Sequence, residues 1–228
     1  MDEELLKPPI ITIWTGRLQL QTVTMDALDD IMSFITRMDV MKWTSVGPVS
    51  SKQQGEKWLS ARCLGPEAFN FAVRERDLSS TASSSSSSVS SPSSNEAVKP
   101  RIIGLFGSFH WPSCGYMLHP DYYNKGYATE GMKAFIPAYF ERVPPASEGG
   151  TGHDVIDAYV DVENVGSMRV LEKCGFARCE LLEREFESPV LGLRDTVVYR
   201  MARPGKTLAE LGFGEEGEGE EAPVPPVQ

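Results

Sequence analysis

Hydrophobic and polar residues along this chain fall into two rhythms. Residues 16–23 (GRLQLQTV) alternate with period two, placing Leu18, Leu20 and Thr22 on one face, and predict a strand. From 26 to 38 the apolar positions Leu28, Ile31, Met32, Ile35 and Met38 recur at helical spacing. A second helix is predicted to begin near Ser51, with Gln54 three residues on as a capping-box partner, and to run towards Cys63; Gly55 weakens it. Residues 69–74 alternate again, and 101–106 are nearly all apolar, so both read as strands. Between them, residues 79–94 contain twelve serines and almost nothing apolar. Such a segment cannot bury enough surface to offset its ordering entropy. Residues 78–98 are therefore expected to form a disordered insertion at the tip of a hairpin, not a linker between domains.

Downstream, residues 115–118 read as a strand, and 132–143 carry an apolar stripe of Met132, Ile136, Tyr139, Phe140 and Val143. Pro137 lies inside that stripe, so the helix is expected to kink there or to end a turn early. Residues 155–160 predict a strand. Asn164 is a good N-cap for a short helix, closed by Gly175, whose Val165, Met168, Leu171 and Cys174 are expected to face inward. Two last strands are predicted near 176–186 and 193–201, and beyond Pro204 little order is expected except a turn. Strands and helices alternate in the middle of the chain and strands cluster at both ends. That pattern predicts one three-layer α/β domain, a mixed sheet with helices on both faces.

A length of 228 residues with 41% apolar composition supports a real core. The net charge of −10 argues against a nucleic-acid-binding face. Half of that charge sits in the tail run Glu215-Glu216-Gly217-Glu218-Gly219-Glu220-Glu221, which reads as a solvated, disordered end. Cys63, Cys114, Cys174 and Cys179 show no C-x-x-C spacing and read as free thiols, with no metal set among them. No apolar run reaches membrane-spanning length, and the acidic start Met1-Asp2-Glu3-Glu4 is unlike a signal peptide. A soluble cytoplasmic protein is expected, a nuclear one not being excluded, with no membrane or nucleic-acid partner; the oligomeric state is left open.

The chemistry concentrates in Tyr122-Tyr123-Asn124-Lys125-Gly126-Tyr127-Ala128-Thr129-Glu130. A strand, a tight turn and a helix start follow one another there. In that arrangement several backbone N–H groups and a helix dipole converge on one anion, and such a loop suits a pyrophosphate.

Three segments make the chain resemble the GNAT superfamily of acetyl-coenzyme-A-dependent N-acetyltransferases, in particular the branch containing the bacterial ribosomal-protein N-terminal acetyltransferases. They are the stretch from Leu118 to Glu130 (LHPDYYNKGYATE), the stretch from Ala158 to Phe176 (AYVDVENVGSMRVLEKCGF) and, more weakly, Thr15-Gly16-Arg17-Leu18-Gln19-Leu20. Order and spacing agree from about Thr15 to Met201, with the serine tract as an insertion. The resemblance implies a three-layer GNAT fold over 15–202, with a mixed, mostly antiparallel sheet whose strands splay at the cofactor site. An N-terminal arm (1–14) and an acidic, disordered tail (203–228) flank it.

The implied co-substrate is acetyl-CoA, its pyrophosphate cradled by backbone N–H groups of Asn124, Gly126, Ala128 and Thr129 with neighbours Lys125 and Tyr127. The free backbone of the splayed strand, at Met117 and Leu118, would pair with the pantetheine arm and polarise the thioester carbonyl. Many members carry a tyrosine on the following helix to protonate the leaving thiolate; Leu171 stands at that position here. Ser167, in the Asn-x-x-Ser pattern, would take over, and Asn164 would contact the cofactor while capping its helix. A thiol of pKa about 8.5 leaves as an anion that a hydroxyl stabilises without full proton transfer. His110, His119, Asp161 and Glu163 lie near the relevant strand ends as candidates for the base, but Ser113-Cys114 replaces the acidic residue often found before the Gly115-Tyr116 pair. The implied acceptor is a primary amine, on a protein or a small molecule, and the acidic balance of the chain loosely fits a cationic one. The alternative is an acyl-CoA-binding module without turnover; a dinucleotide-binding fold lacks its G-x-G-x-x-G.

Overall fold

The computed structural model describes residues 10–65, 67–76, 101–146 and 152–213. The serine-rich insertion expected at 78–98 and all of the acidic run at 215–221 lie outside these residues. Eight strands form one sheet: β1 (Thr12–Trp14), β2 (Leu18–Thr22), β3 (Phe69–Glu75), β4 (Ile102–His110), β5 (Ser113–Leu118), β6 (Val155–Asp161), β7 (Ala177–Ser188) and β8 (Gly192–Ala202). Their spatial order is β1-β2-β3-β4-β5-β6-β8-β7, and every neighbouring pair is antiparallel except β5–β6. The last residues of the expected N-terminal arm thus form an edge strand. β3 and β4 pair antiparallel, so residues 77–100 join adjacent strands of one hairpin.

Among the described residues five α-helices cover the sheet: α1 (Leu28–Ile35), α2 (Met38–Met41), α3 (Lys52–Cys63), α4 (Tyr127–Arg142) and α5 (Val165–Cys174). The two-residue period of the strands divides the core in two. Leu18, Leu20, Phe71, Val73 and Phe106 face α4 and α5, where Phe135, Tyr139 and Leu171 meet them. Ala72, Ile102 and Leu105 face the other way, against Ile31, Phe34 and Leu59 of α1 and α3. Each fully buried Phe or Leu here contributes about 1.5–3 kcal/mol of burial.

Three local outcomes differ from the sequence pattern. The helix expected over 26–38 breaks at Arg37, whose backbone is extended (φ −90°, ψ 131°). Thr36 Oγ1 donates to Met32 O at 2.8 Å, competing for a helical carbonyl, and Met38 restarts the short α2 with its side chain exposed rather than inward. α4, by contrast, runs through Pro137 to Arg142. Pro137 and Lys133, the residue whose carbonyl loses its partner, both lie on the exposed face, where water replaces the missing bond. In α5 only Leu171 is fully buried, and Val165 in the first turn is exposed.

Close packing explains the glycine inside α3. Gly55 lies in α3 where α1 crosses it, and a Cβ there would run into Met32 Sδ. That approach is why α3 tolerates a residue costing roughly 1 kcal/mol in a helix interior. Ser51 caps α3 as expected, its Oγ accepting from Gln54 N–H at 3.3 Å, while the Gln54 side chain accepts from Ser50 N–H at 2.9 Å, one residue further back than a capping box requires.

The feature that positions the site is the seam between β5 and β6. These two parallel strands share a single rung, Ser113 opposite Asp157, and then part. β5 stays paired with β4 as far as Leu118, and β6 stays paired with β8 along its whole length. The sheet therefore opens into a V without losing either half.

Gly107 tests how tightly the β3–β4 pairing holds that half. A Cβ there would come within 2.6 Å of Asn70 Cα on the facing strand, where no side chain can swing aside. Gly107→Ala is expected to destabilise the protein by about 1–3 kcal/mol, read as a lower denaturation midpoint at unchanged m-value.

Candidate active site

A cleft of about 880 Å³ opens where β5 and β6 part. One wall is the end of β5, the loop 122–129 and α5; the other is the turn 42–46, Trp58 and Arg62 of α3, Phe109, and Glu185 and Phe186 of β7.

Strand alternation determines which backbone groups reach the cleft. His119 N–H donates to Ile103 O at 2.7 Å, so His119 and Ile103 form a hydrogen-bonded pair across β4 and β5. Met117 and Gly115 then also bond to β4, and the N–H and C=O groups of Tyr116 and Leu118 are turned towards the gap. Of the two positions expected to offer free backbone, Leu118 does so and Met117 does not: its N–H belongs to the ladder with Leu105. Tyr116, two residues before Leu118, supplies the second free group.

The loop after β5 is shaped by two left-handed residues, Asn124 (φ 59°) and Gly126 (φ 80°). Gly126 is the N-cap of α4, and no side chain caps that end. Glu130 N–H bonds to Gly126 O at 3.0 Å; the N–H groups of Tyr127, Ala128 and Thr129 ahead of it have no partner among the described residues. All three residues, with Asn124 and Gly126, line the cleft. Lys125 turns its ammonium over the Tyr122 ring, 4.8 Å from the centroid.

The turn between β1 and β2 locks this loop in place. Glu130 accepts from Thr15 Oγ1 at 2.5 Å, from Arg17 N–H at 2.8 Å and from Arg17 Nε at 2.7 Å. Arg17 also donates from Nη1 to Lys125 O at 2.9 Å and lies 4.6 Å over the Tyr127 ring. Tyr127 in turn donates its hydroxyl to Glu75 at the end of β3. Burial alone would raise the Glu130 carboxyl, but the bonds from Thr15 and Arg17 outweigh it and hold the group below its ordinary range.

α5 runs along the cleft from the gap to the first turn of α4. At its start, Asn164 Oδ1 accepts from Ser167 N–H at 3.2 Å, which is the N-cap expected from sequence; the Asn164 amide NH₂ has no partner among the described residues and Asn164 lines the cleft. Near its end, Cys174 Sγ lies 3.7 Å from Thr129 O. Between these points Ser167 Oγ sits 2.8 Å from the hydroxyl oxygen of Tyr116, which also bonds to Ser167 O at 3.0 Å. Tyr116 stacks on Phe106 with centroids 5.8 Å apart, and its burial pushes the phenol above its ordinary range.

Four of these residues escaped sequence reasoning as site residues: Arg17, Tyr116, Arg169 and Lys173. Arg169 and Lys173 stand four apart on α5, both exposed and both lining the cleft, without an ion pair among the described residues. Their i, i+4 spacing after the Asn164 cap was a readable signal. The other two depend on packing between distant segments.

The four candidate bases fare differently. Asp161 is gripped by Arg194 through two bonds of 2.7 and 3.0 Å. Burial would raise its carboxyl, yet that guanidinium and the Glu163 N–H hold it low. Glu163 pairs with the same Arg194 at 2.8 Å. His119 turns its Nδ1 to the Asp121 N–H at 3.2 Å and does not line the cleft. His110 lines the cleft, exposed and without an ion pair among the described residues. Among those residues there is also no group of side chains suited to a metal ion and no helix long and apolar enough to cross a membrane.

Comparison with known proteins points in one direction. The family model described as acetyltransferase (GNAT) domain matches residues 17–177. No curated protein matches the sequence significantly. Among solved structures, a GNAT-family acetyltransferase from Bacillus anthracis is 20% identical, with 84% of this chain and 98% of that chain covered and a TM-score of 0.61. A Vibrio cholerae protein assigned as a ribosomal-protein-serine acetyltransferase is 23% identical, covering 84% and 97%, with a TM-score of 0.57. The spermidine N-acetyltransferase of Vibrio cholerae, solved with CoA and spermine, is 16% identical, covering 83% and 97%, with a TM-score of 0.59. At these identities the likeness establishes the fold.

The half-buried carboxylate of Glu130 that ties the loop to the sheet carries a pH signature. A carboxyl held below its ordinary 4.5 contributes stability above that pH and loses it as the pH falls through the folded value. Glu130→Gln is therefore expected to lower Tm at pH 7, and the gap to the unmodified protein should narrow as pH is taken below 4.5. A gap constant across that range would mean the carboxylate is not held by Thr15 and Arg17.

Proposed function

We propose that this chain, which belongs to the GNAT acetyltransferase family, transfers the acetyl group of acetyl-CoA to a primary amine. The observation that carries the reading is the meeting of three features in one cleft: an uncapped 16-residue helix, a strand with free backbone on one side, and a part-buried pair of hydroxyls. The spermidine N-acetyltransferase was solved with CoA and an amine, and that pairing supports the same division of this cleft.

The donor supplies an acyl thioester carried on a pantetheine arm and a pyrophosphate. The residues present fit such a group. The free N–H groups of Tyr127, Ala128 and Thr129 and the positive end of α4 would hold the pyrophosphate, with Asn124, Lys125 and Gly126 shaping the loop. Gly126 has both the left-handed backbone and the absence of a side chain that close approach demands. Arg169 and Lys173 would add charge along the phosphate side. The backbone N–H groups of Tyr116 and Leu118 would hold the pantetheine amide and polarise the thioester carbonyl, acting as fixed dipoles that need no rearrangement. Met117 would contribute by lining the arm, not by its N–H.

Ser167 would donate to the sulfur as it leaves. The one phenol proton of Tyr116 has two acceptors, Ser167 Oγ at 2.8 Å and Ser167 O at 3.0 Å. When it points to Oγ, the serine proton would turn to the thiolate, and the phenol would keep the serine oriented. Asn164 would set the helix and offer its amide to the donor. This arrangement would stand in for the helix tyrosine missing at Leu171, one of the two grounds, with the unassigned base, for the alternative of a binding module without turnover. For the proton of the amine, Asp161 and Glu163 are committed to Arg194, which leaves His110 as the side chain best disposed to accept it.

Two measurements test the reading. Acetyl-CoA at a hundredfold excess over Kd is expected to stabilise the protein by about 2.7 kcal/mol, several degrees in Tm. Gly126→Glu places bulk and negative charge in the loop and should abolish that shift; an unchanged shift would remove the pyrophosphate assignment. Ser167→Ala and Tyr116→Phe should each lower kcat by about ten- to a hundredfold, the worth of one hydrogen bond to a developing anion. The double variant should fall no further than the worse single one, because both act through one bonded pair. Independent, multiplying losses would separate the two hydroxyls.

A further inference from the structure

We propose that the acceptor carries an anionic group, a carboxylate or phosphate, beside the amine that is acetylated. The inference rests on the acetyl-transfer reading above and concerns the far end of the same cleft, beyond the β5–β6 gap.

The charges there run opposite to those of the chain as a whole. A site for a polycation presents carboxylates with nothing else to bind. Two carboxylate residues line this cleft, Asp161 and Glu185. Asp161 is neutralised by Arg194 and largely buried, and Glu185 sits exposed at the rim. Two cations, Lys42 and Arg62, line the same part of the cleft, and neither has a carboxylate within ion-pair distance among the described residues. In a chain of net charge −10, two cations lining one cavity without an ion pair, only Lys42 being close enough to act on Asp161, call for a ligand.

Both cations are held in place. Lys42 Nζ rests 4.4 Å over the Trp43 ring, and Lys42 O accepts from Ser188 Oγ of β7 at 3.3 Å, which fixes its turn. Arg62 Nη2 donates to Ser45 Oγ in the same turn at 2.5 Å. That bond uses one of five guanidinium donors and leaves the rest for an oxyanion. One short turn thus brings an ammonium and a guanidinium to the same wall. An acceptor whose anion docks there presents its amine across the gap to the thioester end. Amino acids with a free carboxylate and protein N-termini followed by acidic residues share this chemistry; spermine does not.

The test uses the full chain with acetyl-CoA and two matched acceptor sets. One is an amino acid against its amide; the other is a peptide series with Asp, Asn or Lys at the second position. The anionic member of a set should show kcat/KM about tenfold or more above the neutral one, in line with a charge-assisted bond. Preference in the first set alone identifies a free amino acid, and in the second a protein N-terminus. Lys42→Gln and Arg62→Gln should collapse the preference, and Lys42→Glu should turn it towards the Lys peptide. Equal rates within both sets, or a preference for the Lys peptide or spermine by the unmodified protein, would overturn the inference. An acetyl-CoA thermal shift measured alongside keeps the two readings apart. If the shift is present and the anion unpreferred, only the acceptor class falls; if the shift is absent from the unmodified protein, both fall.

Discussion

A strand paired on one side only is the constraint from which the rest of this structure follows. β5 is bonded to β4 as far as Leu118 but shares one rung with β6, so a row of peptide groups faces an opening instead of a neighbour. Buried peptide groups left without partners are expensive. A fold tolerates such a row only where water or a ligand completes it. The break also lets the cleft pass from one face of the sheet to the other, which is what a two-substrate reaction needs. On the proposed reading, donor and acceptor would approach the reacting bond from opposite faces and would not compete for one entrance.

The elements around the opening divide the labour by the kind of group they bring. α4 brings backbone donors, β5 brings a second set of backbone donors, and α5 with its cap brings side chains: a hydroxyl, an amide and two cations. The wall proposed for the acceptor is built from a turn and the edge of α3, elements that can vary without disturbing the sheet. Catalytic positioning is thereby separated from acceptor choice, and the charge on the acceptor wall is independent of the charge on the chain as a whole.

Much of this was legible in the sequence, and the parts that were share a cause. Gly126, Asn164 and Gly175 act through local backbone geometry, so each is readable from its neighbours: a left-handed N-cap, an Asx cap and a left-handed C-cap. The strand rhythm likewise showed which face of the sheet each residue of β2 and β3 occupies. Tyr116 was invisible as a site residue because its role depends on meeting Ser167, 51 positions later. Arg17 and Glu130 are 113 positions apart and were hidden for the same reason. Met117 was misjudged because strand parity follows from the pairing partner, which the one-dimensional pattern does not contain. Val165 and Met38 counted as inward by spacing alone, but each stands in the first turn of its helix and is exposed.

The clamp of Thr15 and Arg17 on Glu130 has a consequence for the timing of an entropic cost. Ordering a free loop takes roughly 1–2 kcal/mol per residue, and a loop that orders only on meeting its ligand subtracts that sum from its affinity. Here the carboxylate grip forms as the sheet folds, so the loop is already rigid when an anion arrives. Part of the affinity for the anion is therefore lodged in three side chains that need never touch it.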